Sequence, residues 1–119
     1  MSRRILVADD SPLMRKLLCR AFHKHIYLEI SAEAKDGAEA VELAIQHEPD
    51  LEVLDLAMPV MSGVEAGKRI RALFPNVPII LFTMHASVLA SAQVPWATPV
   101  LEKDAVLRIV TVAEGLVAA

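Results

Sequence analysis

The sequence has little of what would mark a secreted, membrane-spanning or nucleic-acid-binding protein. It carries one cysteine, Cys19, which excludes an internal disulfide and favours a reducing compartment. No apolar run approaches the roughly 20 residues that a membrane span needs, and the run at 5–7 is too short for a signal peptide. The net charge of −3 argues against a dedicated nucleic-acid surface. We therefore expect a cytoplasmic protein that contacts neither membrane nor nucleic acid directly.

What the chain does contain is a repeated alternation of strand and helix signals. Its 119 residues, 55% of them hydrophobic, are enough for one domain, which we expect to span 1–119. Strands are predicted at 5–8, 28–34, 51–54, 79–82 and 100–101, and helices follow them, including 86–93 and 105–117. Five such units predict an α/β, flavodoxin-like doubly wound (βα)5 fold whose five-stranded parallel sheet has the order 2-1-3-4-5.

The first helix illustrates how the helix signals are read. Ser11 suits the N-cap and Pro12 the first helical position. Arg15, Lys16 and Arg20 are most simply a solvated face. Apolar residues that recur every four positions predict an amphipathic helix, and they are Leu13, Met14, Leu17, Leu18, Ala21 and Phe22.

Polar residues follow four of the predicted strands. Asp9 and Asp10 come after the first strand, Asp55 after the third, Thr83 after the fourth and Lys103 near the end of the fifth. In the predicted order the first and third strands are neighbours, and the carboxyl ends of all strands lie along one edge. These five side chains are therefore expected to share a single site.

The chemistry of that set is restricted. Three clustered carboxylates repel one another unless a cation neutralises them, and all-oxygen ligation suits Mg2+. Asp55 is then a metal ligand, a nucleophile, or both. Asp9 and Asp10 could instead cap the first helix, Lys103 could be a solvated lysine, and Thr83 an ordinary strand terminus. Taken together, they predict a pocket where Asp55 attacks phosphorus while Mg2+, Thr83 and Lys103 hold phosphoryl oxygens.

Together with the segment Asp-Leu-Ala-Met-Pro-Val-Met-Ser-Gly that begins at Asp55, these residues closely resemble the receiver domain of two-component response regulators. The resemblance implies that Asp55 accepts a phosphoryl group from the phosphohistidine of a histidine kinase or a histidine phosphotransfer protein. It implies that Mg2+ is bound directly by Asp10 and Asp55, by Asp9 through water, and by the backbone carbonyl of Ala57.

The same resemblance implies how the signal leaves the site. Lys103 would pair with the phosphoryl group, and Thr83 would move to hydrogen-bond it. That movement repacks the face made by the helix after the fourth strand, the fifth strand and the last helix, which an unidentified protein target reads. Val100 stands where many receivers carry an aromatic residue, and Trp96 either covers the sheet edge or reports the switch in its place.

Two other functions stay open at this point. A Mg2+-dependent phosphatase or phosphotransferase could pass through an aspartyl-phosphate, but it would need an acid/base aspartate two residues after Asp55, where Ala57 stands. A receiver-like interaction module that is never phosphorylated is the third reading, although no pocket residue is missing. On the favoured reading the protein is not an enzyme, since it catalyses only its own phosphorylation and dephosphorylation. Glu52, inside an apolar strand, has no assigned role.

Overall fold

Five parallel strands form the centre of the molecule. The computed structural model describes residues 2–83, 100–102 and 106–117, and the predicted helix over 86–93, Trp96 and Lys103 lie outside them. The sheet order is β2-β1-β3-β4-β5, so the predicted flavodoxin-like order is confirmed. The strands are β1 (Arg3–Ala8), β2 (Leu28–Ala34), β3 (Leu51–Asp55), β4 (Ile79–Thr83) and β5 (Val100–Glu102).

Four helices are described, and three of them begin where capping chemistry predicts. Ser11, Asp36 and Ser62 each have extended backbone angles and accept a hydrogen bond from the amide three residues later. The helices are α1 (Pro12–His23), α2 (Gly37–His47), α3 (Gly63–Leu73) and the C-terminal α4 (Val106–Val117). Within the described ranges, none is long and apolar enough to cross a membrane.

The sheet separates two hydrophobic layers. One packs α1 and α4 against one face, around Phe22, Val53 and Ile109; the other packs α2 and α3 against the opposite face, around Leu54 and Ile70. β3 is buried along its whole length because both of its faces are covered.

The predicted apolar face of α1 is only half right. Leu18, Ala21 and Phe22 are buried, whereas Leu13 is 67% exposed and Leu17 is 40% exposed. Recurrence every four residues occurs along two adjacent stripes of this helix. The stripe through Leu18 and Phe22 faces the sheet, whereas the stripe through Leu13 and Leu17 reaches the core only at Ala21.

Strand β2 contains an irregularity that changes which way its side chains point. Ile5 of β1 pairs with Ile30, but Leu6 pairs with Ala32, so Ser31 is an extra residue in the ladder. Such a bulge shifts the alternation of the side chains by one position. Ile30 accordingly packs with the α1 layer, while Ala32 packs with the α2 layer. Glu33 lies between Ala32 and Ala34 and is therefore directed towards α1.

Candidate functional site

Three carboxylates converge at the carboxyl edge of the sheet. Asp9 directly follows β1 and Asp55 is the last residue of β3, and these strands pair in parallel with Ala8 opposite Leu54. Carboxylate oxygens of Asp9, Asp10 and Asp55 all lie within 4.8 Å of one another. Asp9 is 0% exposed and Asp55 is 3% exposed, while Asp10 faces solvent. The structure thus brings together the three acidic residues that the topology predicts to meet.

Backbone and side-chain donors fix Asp9 in place. Its amide donates to the Ala34 carbonyl of β2 at 3.0 Å, and its carboxylate Oδ1 accepts from the Ser11 amide at 2.9 Å. Its own carbonyl accepts from Arg15 Nη1 at 2.6 Å. Arg15, predicted as part of a solvated face, is instead half-buried and contacts the site. The contact of Arg15 with the Asp9 carbonyl depends on the orientation of α1 on the sheet, which the helical pattern alone does not indicate.

The segment after Asp55 is closed tightly by local hydrogen bonds. The Leu56 amide donates to the Phe82 carbonyl at 3.2 Å, and the Gly63 amide donates back to Leu56 at 2.8 Å. Met61 donates to the Pro59 carbonyl at 2.7 Å across Val60, whose φ of 66° lies in the left-handed region. Ala57 is exposed in this segment, two residues beyond the end of β3.

Two glycines are needed because the backbone approaches them closely. A Cβ added at Gly63 would lie 1.9 Å from the Asp55 carbonyl oxygen, and one added at Gly37 would lie 2.1 Å from the Met61 carbonyl oxygen. The Gly37 amide donates to that same Met61 carbonyl at 3.1 Å. The start of α2 therefore braces the loop that follows Asp55. The sequence indicates a turn and helix cap at Asp36-Gly37 and includes Gly63 in the segment that begins at Asp55, but it does not reveal either close backbone contact.

Of the remaining predicted residues, the structure describes the backbone of Thr83. Thr83 ends β4, and its backbone pairs with Glu102 of β5. Lys103 immediately follows β5 and lies outside the described residues, and the side chains of Thr83 and Val100 are likewise not described. The backbone therefore places Thr83 at the same sheet edge as the carboxylates, one strand away from Asp55.

The donor set is suited to a small hard cation. Oxygen atoms of the three carboxylates lie within 4.8 Å of one another. Mg2+ prefers oxygen ligands and binds through one or two carboxylates while keeping several waters. One exposed member leaves the cluster open to solvent on one side. Clustered carboxylates also repel one another, and a bound cation removes that repulsion. The residues present therefore fit a Mg2+ ion.

Comparisons with known proteins agree with this geometry. The family model of the response regulator receiver domain matches residues 5–110. The chain belongs to the response regulator receiver family.

Relatives of this receiver domain occur both as short proteins and as parts of longer ones. It is 40% identical over 81 residues to the chemotaxis protein CheY of Thermotoga maritima, covering 68% of this chain and 67% of CheY. It is 43% identical over 81 residues to a protein-glutamate methylesterase/protein-glutamine glutaminase of Myxococcus xanthus. That match covers 68% of this chain but only 23% of the methylesterase.

A solved structure extends the likeness to nearly the whole chain. The response regulator TrrA of Thermotoga maritima, determined in complex with Mg2+-BeF, is 30% identical with a TM-score of 0.87. The match covers 96% of this chain and 98% of TrrA. The fold of this receiver domain is thus that of a response regulator, as the sequence resemblance implies.

Proposed function

We propose that this receiver domain is the phosphoacceptor of a two-component phosphorelay. Asp55 accepts a phosphoryl group from the phosphohistidine of a histidine kinase or a histidine phosphotransfer protein. The observation that carries the proposal is the convergence of Asp55 with Asp9 and Asp10 within 4.8 Å at the carboxyl edge of the sheet. Membership of the receiver family, and the binding of Mg2+-BeF by TrrA, support it.

Asp55 is the nucleophile in this scheme. One of its carboxylate oxygens attacks phosphorus in line with the departing imidazole nitrogen of the donor, forming the P–O bond of an acyl phosphate. The P–N bond breaks, and its electron pair stays on the imidazole, which takes up a proton from solvent. The buried strand β3 and the braced loop at Gly63 hold the Asp55 backbone still during the attack.

Asp9, Asp10, Asp55 and the Ala57 backbone carbonyl would hold the Mg2+ ion. When bound, the ion neutralises the charge of the phosphoryl oxygens and of the carboxylates that surround them. Asp10, the exposed member that follows β1, would be a direct ligand, and Asp9 would assist through water. The hydrogen bonds of Asp9 to Ser11 and Ala34 orient it for that role.

In this scheme Thr83 and Lys103 act on the phosphoryl group itself. Lys103 pairs with the phosphoryl group and Thr83 hydrogen-bonds it, which shifts the face formed by the segment after β4, by β5 and by α4. The placement of the Thr83 backbone at the end of β4 supports this role. A downstream protein reads the shifted face.

The domain proposed here spans 1–119 and turns over no substrate other than its own phosphoryl group. It acts in the cytoplasm, without direct contact to membrane or nucleic acid. An aspartyl-phosphate phosphatase or phosphotransferase acting on other substrates is less well supported, because Ala57 offers no acid/base group two residues after Asp55. A module that only binds partners is less well supported because all three acidic residues are present and assembled.

Intact-mass analysis with acetyl phosphate and Mg2+ tests the proposal. The wild-type chain should gain one phosphoryl group, and Asp55→Asn should gain none because the amide is a far poorer nucleophile. Asp50→Asn is the matched control, since Asp50 lies before β3 at the opposite edge and binds the Arg4 amide at 2.8 Å. Undiminished labelling of Asp55→Asn would refute the assignment of Asp55.

The metal assignment is tested separately by titration. Asp10→Ala should weaken Mg2+ binding and phosphorylation together, because it removes a direct ligand from a site that has few. Asp9→Ala should weaken both to a smaller extent if its contact runs through water. Normal Mg2+ affinity in Asp10→Ala would contradict the proposed ligand set.

A further inference from the structure

An ion pair lies beside Asp9, one of the three residues of the carboxylate cluster. The Arg15 Nη1 atom donates to the Asp9 carbonyl at 2.6 Å, and its Nε atom lies 3.6 Å from Glu33 Oε1. The Arg15 side chain is only 20% exposed, so its charge is partly shielded from solvent, whereas the Glu33 side chain is 49% exposed. A fixed positive charge therefore stands within hydrogen-bonding distance of a residue of the cluster.

The fold provides this pairing through two unrelated features. Arg15 lies on the second turn of α1, close to the edge where β1 ends. Glu33 reaches it because the bulge at Ser31 directs Glu33 towards α1. Burial, together with the charge of the nearby Glu33, raises the pKa of the Cys19 thiol to about 11. Cys19 therefore keeps its proton at neutral pH and adds no second negative charge beside Glu33.

Removal of Arg15 could act on the cluster in two ways. It could displace Asp9, which would weaken cation binding, or it could remove a positive charge that repels a cation, which would strengthen binding. Asp9 has other anchors, since its amide bonds to Ala34 and its carboxylate accepts from Ser11. Its position at the end of a buried strand is thus maintained without Arg15, and the charge effect dominates.

We propose that the Arg15–Glu33 pair sets the divalent-cation affinity of the carboxylate cluster, with Arg15 lowering the affinity and Glu33 offsetting Arg15. The inference rests on the proposed Mg2+ site at Asp9, Asp10 and Asp55. In the metal-free protein the Arg15 charge partly relieves the repulsion among these carboxylates. A bound cation relieves the same repulsion and is itself repelled by Arg15. Glu33 limits how strongly Arg15 opposes that entry.

Mg2+ titration by isothermal calorimetry at low salt tests this proposal, because the two single variants should change the Mg2+ affinity in opposite directions. Arg15→Gln should tighten Mg2+ binding, and Glu33→Gln should weaken it, each by about threefold to tenfold for a unit charge at this range. Glutamine has nearly the same size and shape as glutamate, so Glu33→Gln changes charge and little else. Arg15→Lys keeps the charge and should bind Mg2+ much as the wild type does.

Matched controls come from the same two elements. Arg20→Gln on α1 and Glu29→Gln on β2 remove exposed charges that lie farther from the cluster, and both should leave the affinity unchanged. The changes in Mg2+ affinity caused by Arg15→Gln and Glu33→Gln should both become smaller at about 1 M salt, where the Debye length falls to about 3 Å. Thermal unfolding in EDTA gives a readout independent of metal, and Arg15→Gln should unfold at lower temperature because the carboxylates lose their counter-charge.

The outcomes separate this inference from the proposed function. If both Arg15→Gln and Glu33→Gln weaken Mg2+ binding, or if neither changes it, the pair only supports the fold and the inference is overturned. If binding tightens as much in Arg15→Lys as in Arg15→Gln, the loss of guanidinium geometry is responsible, and the inference is overturned as well. If the wild type and Asp10→Ala bind Mg2+ equally, the metal site itself is wrong and both proposals fall.

Discussion

Strand β3 carries two buried carboxylates, three residues apart, in very different surroundings. Asp55 ends the strand beside two further carboxylates, and the cluster opens to solvent through Asp10. Glu52 lies inside the strand between the apolar residues Leu6 of β1 and Ile79 of β4. Among the described residues neither oxygen of Glu52 has a hydrogen-bond partner, and its exposure is 0%.

The difference shows that burial alone does not make a carboxylate functional. At Asp55, groups from separate elements converge and offer a ligand set. At Glu52, burial raises the pKa from its ordinary 4.5 to about 8, and the Arg71 guanidinium of α3 limits the rise. Glu52 is therefore held neutral at pH 7, because an ionised carboxylate in this layer would lack compensation.

The largest expected effect is that of Glu52 on the pH dependence of the free energy of unfolding. Between pH 4.5 and about 8 the folded state keeps a Glu52 proton that the unfolded state has released. The free energy of unfolding should therefore fall as pH rises through this window and level off above it. At about 1.4 kcal/mol per pKa unit, the loss is at most on the order of 5 kcal/mol.

Urea unfolding at pH 5 to 9 measures this loss, and Glu52→Gln should remove it because the amide does not titrate. Glu52→Leu should do the same and be more stable than wild type at pH 8.5, since an apolar side chain suits the layer. Glu29→Gln, an exposed site on β2, serves as the control and should leave the pH profile unchanged. A wild-type slope that persists in Glu52→Gln would assign the effect to another group.

At the other end of β3, the next effect concerns the backbone of Asp55. Gly63→Ala places a Cβ on the Asp55 carbonyl oxygen, so the strand end or the loop has to move. We expect a loss of about 1–3 kcal/mol in the free energy of unfolding, typical of overpacking. Acetyl phosphate labelling should slow as well, because the nucleophile is displaced.

Gly115→Ala is the matched control for that substitution. A Cβ at Gly115, exposed on α4, would meet nothing within 4 Å. Alanine should therefore stabilise the helix by about 0.5–1 kcal/mol and leave labelling unchanged. Equal effects at Gly63 and Gly115 would mean that contact with Asp55 has no importance.

The sequence predicts much of the site at the end of β3. The strand order places Asp9, Asp10 and Asp55 at one edge by topology alone, and the cap residues Ser11 and Ser62 act within one helical turn. Such features depend on order and on short-range contacts. Both can be read from a linear sequence.

Other features depend on how elements pack, and the sequence does not indicate them. The contact of Arg15 with Asp9 requires the angle of α1 on the sheet, and its pairing with Glu33 requires the bulge at Ser31. The exposure of Leu13 and Leu17 depends on which of two apolar stripes meets the sheet. Glu52 is anomalous in the sequence, but its protonation follows from its complete burial and from the lack of a hydrogen-bond partner among the described residues.

The smallest expected effect concerns Arg71, the cation beside Glu52. Arg71 donates to the Phe74 carbonyl at 3.3 Å and the Pro75 carbonyl at 2.9 Å, and its charge lowers the pKa of Glu52. Arg71→Gln removes that charge, so the window of pH-dependent stability loss should extend upward by roughly half a pH unit. This size follows because one partly solvated charge pair is worth about 0.2–1 kcal/mol.

The absolute stability of Arg71→Gln will also fall, since two carbonyls at the end of α3 lose a donor. For that reason the informative quantity is the pH at which the loss levels off, obtained from side-chain NMR titration of Glu52 or from urea unfolding. Arg69→Gln is the control on the same helix, because Arg69 pairs with Glu65 at 3.3 Å on the exposed face and should not move this pH. An unchanged pH in Arg71→Gln would mean that Glu52 does not sense Arg71, and that the contrast between the two ends of β3 arises from burial alone.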